Sequence, residues 1–148
     1  MIIVTGGAGF IGSVLVKELN KRGRSDILLV DRLESDDKWK NIRNLDFIDY
    51  SQADEFIEMA SDHEDNDEFW YNVDAIYHLG ACSATTEKNV DFLWENNVRF
   101  TQKLLFMATE YSIPIVYASS AATYGAGEAG NSDDHSEIEN LKPLNPYG

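Results

Sequence analysis

Short apolar runs alternate with amphipathic segments along the chain. Residues 1–5 and 27–30 are apolar runs of the kind found in strands that are buried on both faces of a parallel sheet. Between them, residues 10–22 carry Ile11, Val14, Leu15 and Leu19 at helical spacing, which predicts an amphipathic helix that ends at Gly23. Together these segments predict a β-α-β unit of about thirty residues.

The same alternation continues to the far end of the chain. Further strands are predicted at residues 45–48, 74–79 and 113–118, further helices at 52–60 and 89–111, and loops at 32–44, 61–68 and 125–140. The loop at 61–68 contains five acidic residues and is interpreted as a solvated loop, in preference to an acidic interaction tail. The pattern predicts the α/β class, with a doubly wound parallel sheet of the Rossmann type.

Length and charge narrow the function classes. The 148 residues correspond to one domain, here residues 1–148. With 26 acidic against 12 basic residues the net charge is −14, which makes nucleic acid and anionic membranes poor partners. The single cysteine and three separated histidines predict neither a disulfide framework nor a metal site. The absence of a long apolar run predicts a cytoplasmic protein with no membrane span.

The strongest chemical signal is a glycine-rich turn between the first strand and the first helix, Thr5-Gly6-Gly7-Ala8-Gly9-Phe10-Ile11-Gly12. Gly6 suits a tight turn, Gly9 a close approach to a pyrophosphate, and Gly12 close packing of helix on strand. Asp31 follows Gly12 by about 20 residues, at the end of the second strand, where a carboxylate binds ribose hydroxyls. The arrangement predicts a nicotinamide dinucleotide site.

The identity of the dinucleotide is left open by the residues after Asp31. Asp31 repels a 2′-phosphate, whereas Arg32 and Lys38 attract one. The two cations therefore favour NADP, with NAD as the alternative. In a second interpretation Arg32 and Lys38 are ordinary loop charges.

Several segments resemble the extended short-chain dehydrogenase/reductase family of nucleotide-sugar epimerases and dehydratases. They are residues 1–13 and 26–31, Gly-Ala-Cys-Ser-Ala-Thr-Thr-Glu at 80–87, Asn96-Asn97, and residues 117–125. Within that family, residues 80–87 and 118–125 are most similar to the branch that acts on ADP-heptose.

The resemblance implies an isomerase that uses NADP and takes ADP-heptose as its substrate, inverting C6″ for lipopolysaccharide core synthesis. It also implies a homo-oligomer for the full-length enzyme. The alternatives are another nucleotide-sugar 4-epimerase or 4,6-dehydratase, and a dinucleotide-binding remnant without catalysis.

Carried over by position, the family's cofactor contacts are Phe10, Ile11, Asp31, Arg32, Lys38, Leu79, Gly80, Ala81, Cys82, Ser83 and Asn96. Two positions depart from the family. Leu79 replaces a glutamate, and Ala53 replaces a lysine that helps to bind the NADP phosphate. Cys82 is interpreted as a packed residue that lines the cofactor site and not as a nucleophile, since no histidine partner is evident beside it.

The resemblance assigns catalysis to Ser120 and Tyr147. Ser120 follows the last predicted strand, with Ser119 as its rival, and Tyr147 matches the tyrosine of the family's Tyr-x-x-x-Lys motif. A phenol is a poor base at neutral pH unless a cation stabilises the phenolate. The motif's lysine would occupy the third position after Gly148. We therefore expect a domain truncated before the substrate-binding region and inactive on its own.

Overall fold

A parallel sheet flanked by helices forms the framework of the computed structural model, which describes residues 1–60 and 66–148. Its strands are β1 (Ile2–Thr5), β2 (Ile27–Asp31), β3 (Asp49–Gln52), β4 (Ala75–His78) and β5 (Ile115–Tyr117). The α-helices are α1 (Phe10–Lys21), α2 (Trp39–Ile42), α3 (Ala53–Met59), α4 (Asp67–Tyr71), α5 (Val90–Leu93) and α6 (Phe100–Glu110). A π-helical turn, Trp94–Arg99, joins α5 to α6, and 3₁₀ helices occupy Ala121–Tyr124 and His135–Asn140.

Within the described residues the sheet has the order β3-β2-β1-β4-β5, and every pairing is parallel. Ile2 of the central strand β1 pairs with Ile27 on one side and with Ala75 on the other. The chain thus builds outwards from β1 to β3 and then crosses to the opposite side for β4. This is the predicted doubly wound fold, whose ligand site lies at the carboxyl edge where the direction of winding changes.

Two apolar layers hold the helices to the sheet. On one face Ile3 and Ile76 pack with Phe56, Trp70 and Leu104 from the helices. On the other face, residues of β1 and β2 pack against Val16 of α1. The apolar runs at β1 and β2 follow from burial on both faces, because both strands are buried at every position.

The prediction of a third strand at residues 45–48 is wrong. The strand lies at Asp49–Gln52, a polar and mostly half-buried edge strand that carries no apolar signal. Leu45 and Phe47 pack beside the sheet against the layer formed by Val16. The apolar pattern at 45–48 therefore marks a packed connection.

Three short helices interrupt predicted loops. In the stretch 32–44, α2 forms because Ile42 is buried against Leu29. In the stretch 61–68, residues 61–65 lie outside the described residues, while α4 begins at Asp67 and buries Trp70. In the stretch 125–140, a 3₁₀ helix is capped by Asp134, whose side chain accepts from the Ser136 amide.

Candidate functional site

The glycine turn brings three elements into contact at the carboxyl edge of β1. Gly6 has φ +66°, and a Cβ there would lie 2.7 Å from the amide nitrogen of Gly80, just after β4. A Cβ on Gly12 would lie 2.2 Å from the carbonyl oxygen of Gly6. The turn can therefore form only with glycine at both positions, and it holds the first turn of α1 against the ends of β1 and β4.

The N-terminus of α1 is open to a ligand. Its N-cap is Gly9, and no side chain of the described residues caps it. The side chains of Phe10 and Ile11 beside it are 84% and 67% exposed. Free N–H groups and the positive end of the helix dipole favour an anion, so this turn fits the pyrophosphate of a dinucleotide.

Asp31 fastens the glycine turn to the end of β2. Its buried carboxylate accepts from the Ala8 amide at 2.9 Å, the Arg32 amide at 2.7 Å and Lys38 Nζ at 3.1 Å. A carboxylate offers about four lone-pair sites, so about one is left for a ribose hydroxyl. Asp31 thus has a structural role that sequence reasoning missed, beside the predicted contact with the ribose.

The two cations after β2 are already paired with carboxylates. Arg32 bonds Asp54 through Nη2 at 2.5 Å and Nε at 3.3 Å, and its Nη1 donates to Asn96 Oδ1 at 2.6 Å. Lys38 Nζ bonds Asp31 and the Arg32 carbonyl oxygen. The hydrogen-bonded pair raises the pKa of Arg32 and lowers the pKa of Asp54, so both stay charged across the neutral range.

The loop after β4 is clamped by the π-helical turn. Asn97 Oδ1 accepts from the Cys82 amide at 2.8 Å, and Asn97 Nδ2 donates to the Cys82 carbonyl oxygen at 3.0 Å. Asn96 Nδ2 in turn donates to Asn97 Oδ1 at 2.9 Å. Asn96 therefore joins the loop to Arg32, and π-helical turns of this kind are frequent at functional sites.

A buried histidine links the same loop to β1. The Gly80 amide donates to Thr5 Oγ1 at 3.0 Å, and Thr5 Oγ1 lies 2.7 Å from His78 Nδ1. His78 Nε2 lies 2.9 Å from Thr101 Oγ1, whose hydroxyl donates to the Asn97 carbonyl oxygen at 2.6 Å.

The Thr101 hydroxyl already donates its proton to that carbonyl, so Thr101 Oγ1 can only accept a hydrogen bond from His78 Nε2. The imidazole proton of His78 is therefore assigned to Nε2. Nδ1 then accepts from Thr5. His78 is neutral in this arrangement, and burial lowers its pKa from the ordinary 6.5 to about 4.

A cleft of about 290 Å³ opens at the carboxyl ends of β4 and β5. It is lined by His78, Leu79, Gly80, Ala81, Asn97, Val98, Thr101, Gln102, Tyr117, Ala118, Ser119, Ser120, Thr123, Tyr147 and Gly148. Ser120 Oγ accepts from the Ala122 amide at 3.1 Å and so caps the 3₁₀ helix after β5, which leaves its hydroxyl proton free to donate. Ser119 lines the cleft as well, so both candidate serines are present there.

Tyr147 reaches the cleft because residues 142–148 fold back against the turn after β5. A Cβ on Gly125 would lie 1.9 Å from the Lys142 carbonyl oxygen, and one on Gly148 would lie 2.6 Å from the Ala122 carbonyl oxygen. These close backbone approaches hold Tyr147 on the same cleft wall as Ser120.

The predicted site residues divide into groups. Leu79, Gly80, Ala81, Ser120 and Tyr147 share the cleft, whereas Cys82, Ser83 and Asn96 are not among the residues that line it. The glycine turn, Asp31, Arg32 and Lys38 lie at the ends of β1 and β2. His78, Asn97 and Thr101 were missed as parts of the site. The adjacent asparagines and the segment that begins Gly80-Ala81-Cys82 were the signals in the sequence that pointed to this region.

Across residues 1–60 and 66–148, no group of three or more His, Cys, Asp or Glu side chains is arranged to hold a metal ion. No helix in that part of the chain has the length and apolar character needed to cross a bilayer.

Comparison with known proteins places the fold and the sequence in one group. The model of the family described as "NAD dependent epimerase/dehydratase family" matches residues 2–148. A protein of Nitratidesulfovibrio vulgaris (strain DP4) named ADP-L-glycero-D-manno-heptose-6-epimerase is 50% identical over the whole chain and 45% of its own length. A protein of Fusobacterium nucleatum with the same name is also 50% identical, over 44% of its length.

Solved structures of two epimerases have a fold similar to that of this chain. The Helicobacter pylori ADP-L-glycero-D-manno-heptose-6-epimerase has a TM-score of 0.77 at 27% identity, with 99% of this chain and 46% of that one covered. A Bacillus cereus UDP-glucuronic acid 4-epimerase in complex with NAD has a TM-score of 0.75 at 28% identity, with 99% and 47% covered. The chain spans less than half the length of these relatives.

Proposed function

Because this chain belongs to the NAD dependent epimerase/dehydratase family, we propose that the whole protein interconverts ADP-D-glycero- and ADP-L-glycero-D-manno-heptose by inverting C6″. The observation that carries the proposal is the shared edge of the sheet. There the open N-terminus of α1 and the Asp31 carboxylate lie near a cleft that holds Ser120 and Tyr147. The substrate is supported by the two 50% identical relatives named for that heptose.

The residues of this chain divide the work of binding a dinucleotide. The free N–H groups of the first turn of α1 fit a pyrophosphate, and the remaining lone pair of Asp31 fits a ribose hydroxyl. A bound nicotinamide dinucleotide supplies reversible removal and return of a hydride at a substrate carbon. His78 and Asn97 keep the Gly80–Cys82 backbone in place beside the cleft.

Ser120 and Tyr147 are suited to the proton side of the reaction. The free hydroxyl proton of Ser120 can be donated to a sugar oxygen in the cleft, which orients that oxygen. The phenolate form of Tyr147 would take the proton of a sugar hydroxyl during oxidation, and the resulting phenol would give it back during reduction. Because the hydride and the proton removed from the sugar are both returned to it, the inversion has no net redox change.

We propose NADP as the cofactor, with Arg32 and Lys38 as the cations beside the adenosine ribose. NAD is the second candidate, since Asp31 and Asp54 place carboxylates against both cations. The neighbour from Bacillus cereus was solved with NAD.

Two measurements test the proposal separately. Titration of this chain with NADPH and NADH, followed by nicotinamide fluorescence, should give saturable binding of at least one of them. Failure of both would refute the dinucleotide site.

The full-length protein should then convert ADP-D-glycero-D-manno-heptose to its C6″ epimer, as read by proton NMR. Turnover of UDP-glucose in its place would favour a C4 epimerase or dehydratase. Dinucleotide binding without turnover of either sugar would favour a binding protein.

A further inference from the structure

The Asp54 carboxylate binds the Arg32 guanidinium, the same group that a phosphate would bind. We propose that Asp54 is a specificity-determining residue of the dinucleotide site, which weakens binding of 2′-phosphorylated cofactors by holding the Arg32 guanidinium. This inference rests on the dinucleotide site proposed above and adds the residue that sets the balance between NADP and NAD.

The Asp54 carboxylate is held in place by its own helix. Gln52 caps α3, because its Oε1 accepts from the amides of Asp54 at 2.5 Å and Glu55 at 3.1 Å. The Gln52 Nε2 donates to Asp54 Oδ2 at 2.9 Å. These bonds hold the Asp54 carboxylate beside the Arg32 guanidinium.

The guanidinium is held from the other side as well. Asn96, which is 7% exposed, accepts from Arg32 Nη1 and is itself fastened to Asn97. Arg32 thus lies between a carboxylate and a buried amide. A phosphate can bind the Arg32 guanidinium only if it displaces the Asp54 carboxylate or shares the guanidinium with it.

The charges around Arg32 make displacement of Asp54 unfavourable, and only NADP requires that displacement. A 2′-phosphate brings up to two negative charges next to Asp31 and Asp54, and the other nearby cation, Lys38, is already paired with Asp31. Ala53, at the start of α3, adds no positive charge. NAD carries a neutral 2′-hydroxyl and leaves the pair of Arg32 and Asp54 intact, so the penalty is selective.

The expected size of the effect on NADP binding follows from the solvent exposure of Arg32 and Asp54. The side chains of Arg32 and Asp54 are 30% and 60% exposed, so solvent screens the pair. We expect removal of the Asp54 charge to tighten NADP binding about three- to fivefold and to leave NAD binding within a factor of about two. Glu55 is the matched control. It is the next acidic residue on α3, and its backbone amide, like that of Asp54, is capped by Gln52.

The test is isothermal titration calorimetry of this chain with NADP and NAD, for the unmodified chain, Asp54→Asn and Glu55→Gln. Adenosine 2′,5′-bisphosphate and 5′-AMP repeat the comparison on the adenosine half alone. Asp54→Asn should raise the ratio of NADP to NAD affinity about three- to fivefold, and Glu55→Gln should leave it unchanged. In the background of Arg32→Gln the effect of Asp54→Asn should disappear.

Three results would overturn the proposal. One is an unchanged ratio in Asp54→Asn, and another is equal tightening of both cofactors, which would indicate a general electrostatic effect. The third is the same gain in Glu55→Gln. Absence of binding of either cofactor to the unmodified chain would instead refute the dinucleotide site itself, so the two failures are distinguishable.

Discussion

The neutral state of His78 predicts a specific loss of stability in mild acid. The imidazole is 4% exposed, contacts the Phe100 ring edge-on at 4.9 Å, and accepts from Thr5 at Nδ1. Protonation of Nδ1 would place two donors against each other unless the Thr5 hydroxyl turned, and that hydroxyl already orders the Gly80 amide. Acid should therefore weaken both the fold and the loop beside the cleft.

The sign and size of the stability change follow from the linkage between His78 protonation and folding. Burial lowers the pKa of His78 to about 4 in the folded chain, against 6.5 when it is exposed. The unfolded chain binds the proton first, so the contribution is complete above pH 6.5 and is lost as the pH falls towards 4. The full loss is about 3 kcal/mol, of which about 2 kcal/mol is reached by pH 5.

The assay is urea unfolding of this chain at about pH 7.5 and pH 5.0, compared with His78→Gln, which stays neutral at both values. The free energy of unfolding should fall by about 2 kcal/mol more in the unmodified chain than in His78→Gln. The exposed His135 provides the control, and His135→Gln should behave like the unmodified chain. Equal pH slopes for the unmodified chain and His78→Gln would refute the assignment of a buried neutral imidazole.

Three further changes test the site. Gly12→Ala places a Cβ 2.2 Å from the Gly6 carbonyl oxygen. It should lower the free energy of unfolding by about 1–3 kcal/mol and weaken dinucleotide binding. An unchanged melting temperature and affinity would show that the turn tolerates the side chain. Asn97→Ala removes both bonds to the Cys82 backbone and should speed hydrogen exchange at the Cys82 amide, with Thr109→Ala, on the exposed side of α6, as control. Equal protection in both variants would remove Asn97 from the role of a clamp. Tyr147→Phe in the full-length protein should lower kcat about 10²- to 10⁴-fold with unchanged dinucleotide affinity, and full turnover would exclude this phenol from proton transfer.

The glycine turn and the strands next to it were predictable because their signals are local. The run of apolar residues in β1 and β2 reports burial on both faces of a parallel sheet, and the glycines at 6 and 12 report a turn that excludes side chains. Asp31 at the end of β2 belongs to the same unit. The continued alternation of strands and helices predicts the fold class, and the glycine turn with Asp31 predicts which edge of the sheet carries the proposed dinucleotide site.

Elements whose stability comes from distant partners were misplaced or missed. The edge strand β3 needs only one neighbour and carries polar residues, so it left no apolar pattern. The helix α4 exists around a single buried residue, Trp70, which packs against Phe56 of α3 and against Tyr111, just after α6. The π-helical turn inside a segment predicted as one helix likewise leaves no periodic signal, because a single wider turn barely changes the spacing.

By itself the sequence determined the β-α-β unit and the glycine turn, because each depends on neighbours within a few positions, and the resemblance of its motifs to a family supplied the candidate cleft residues Ser120 and Tyr147. Only the tertiary structure decided how those residues are used. Arg32 meets Asp54 and Asn96, Thr5 meets His78, and Asn97 meets Cys82. Partners separated by 15 to 73 residues are brought together by strand order and helix packing. Whether the Arg32 cation is already paired, which nitrogen of His78 carries the proton, and how the loop at Cys82 is held all depend on those partners, which no local pattern specifies.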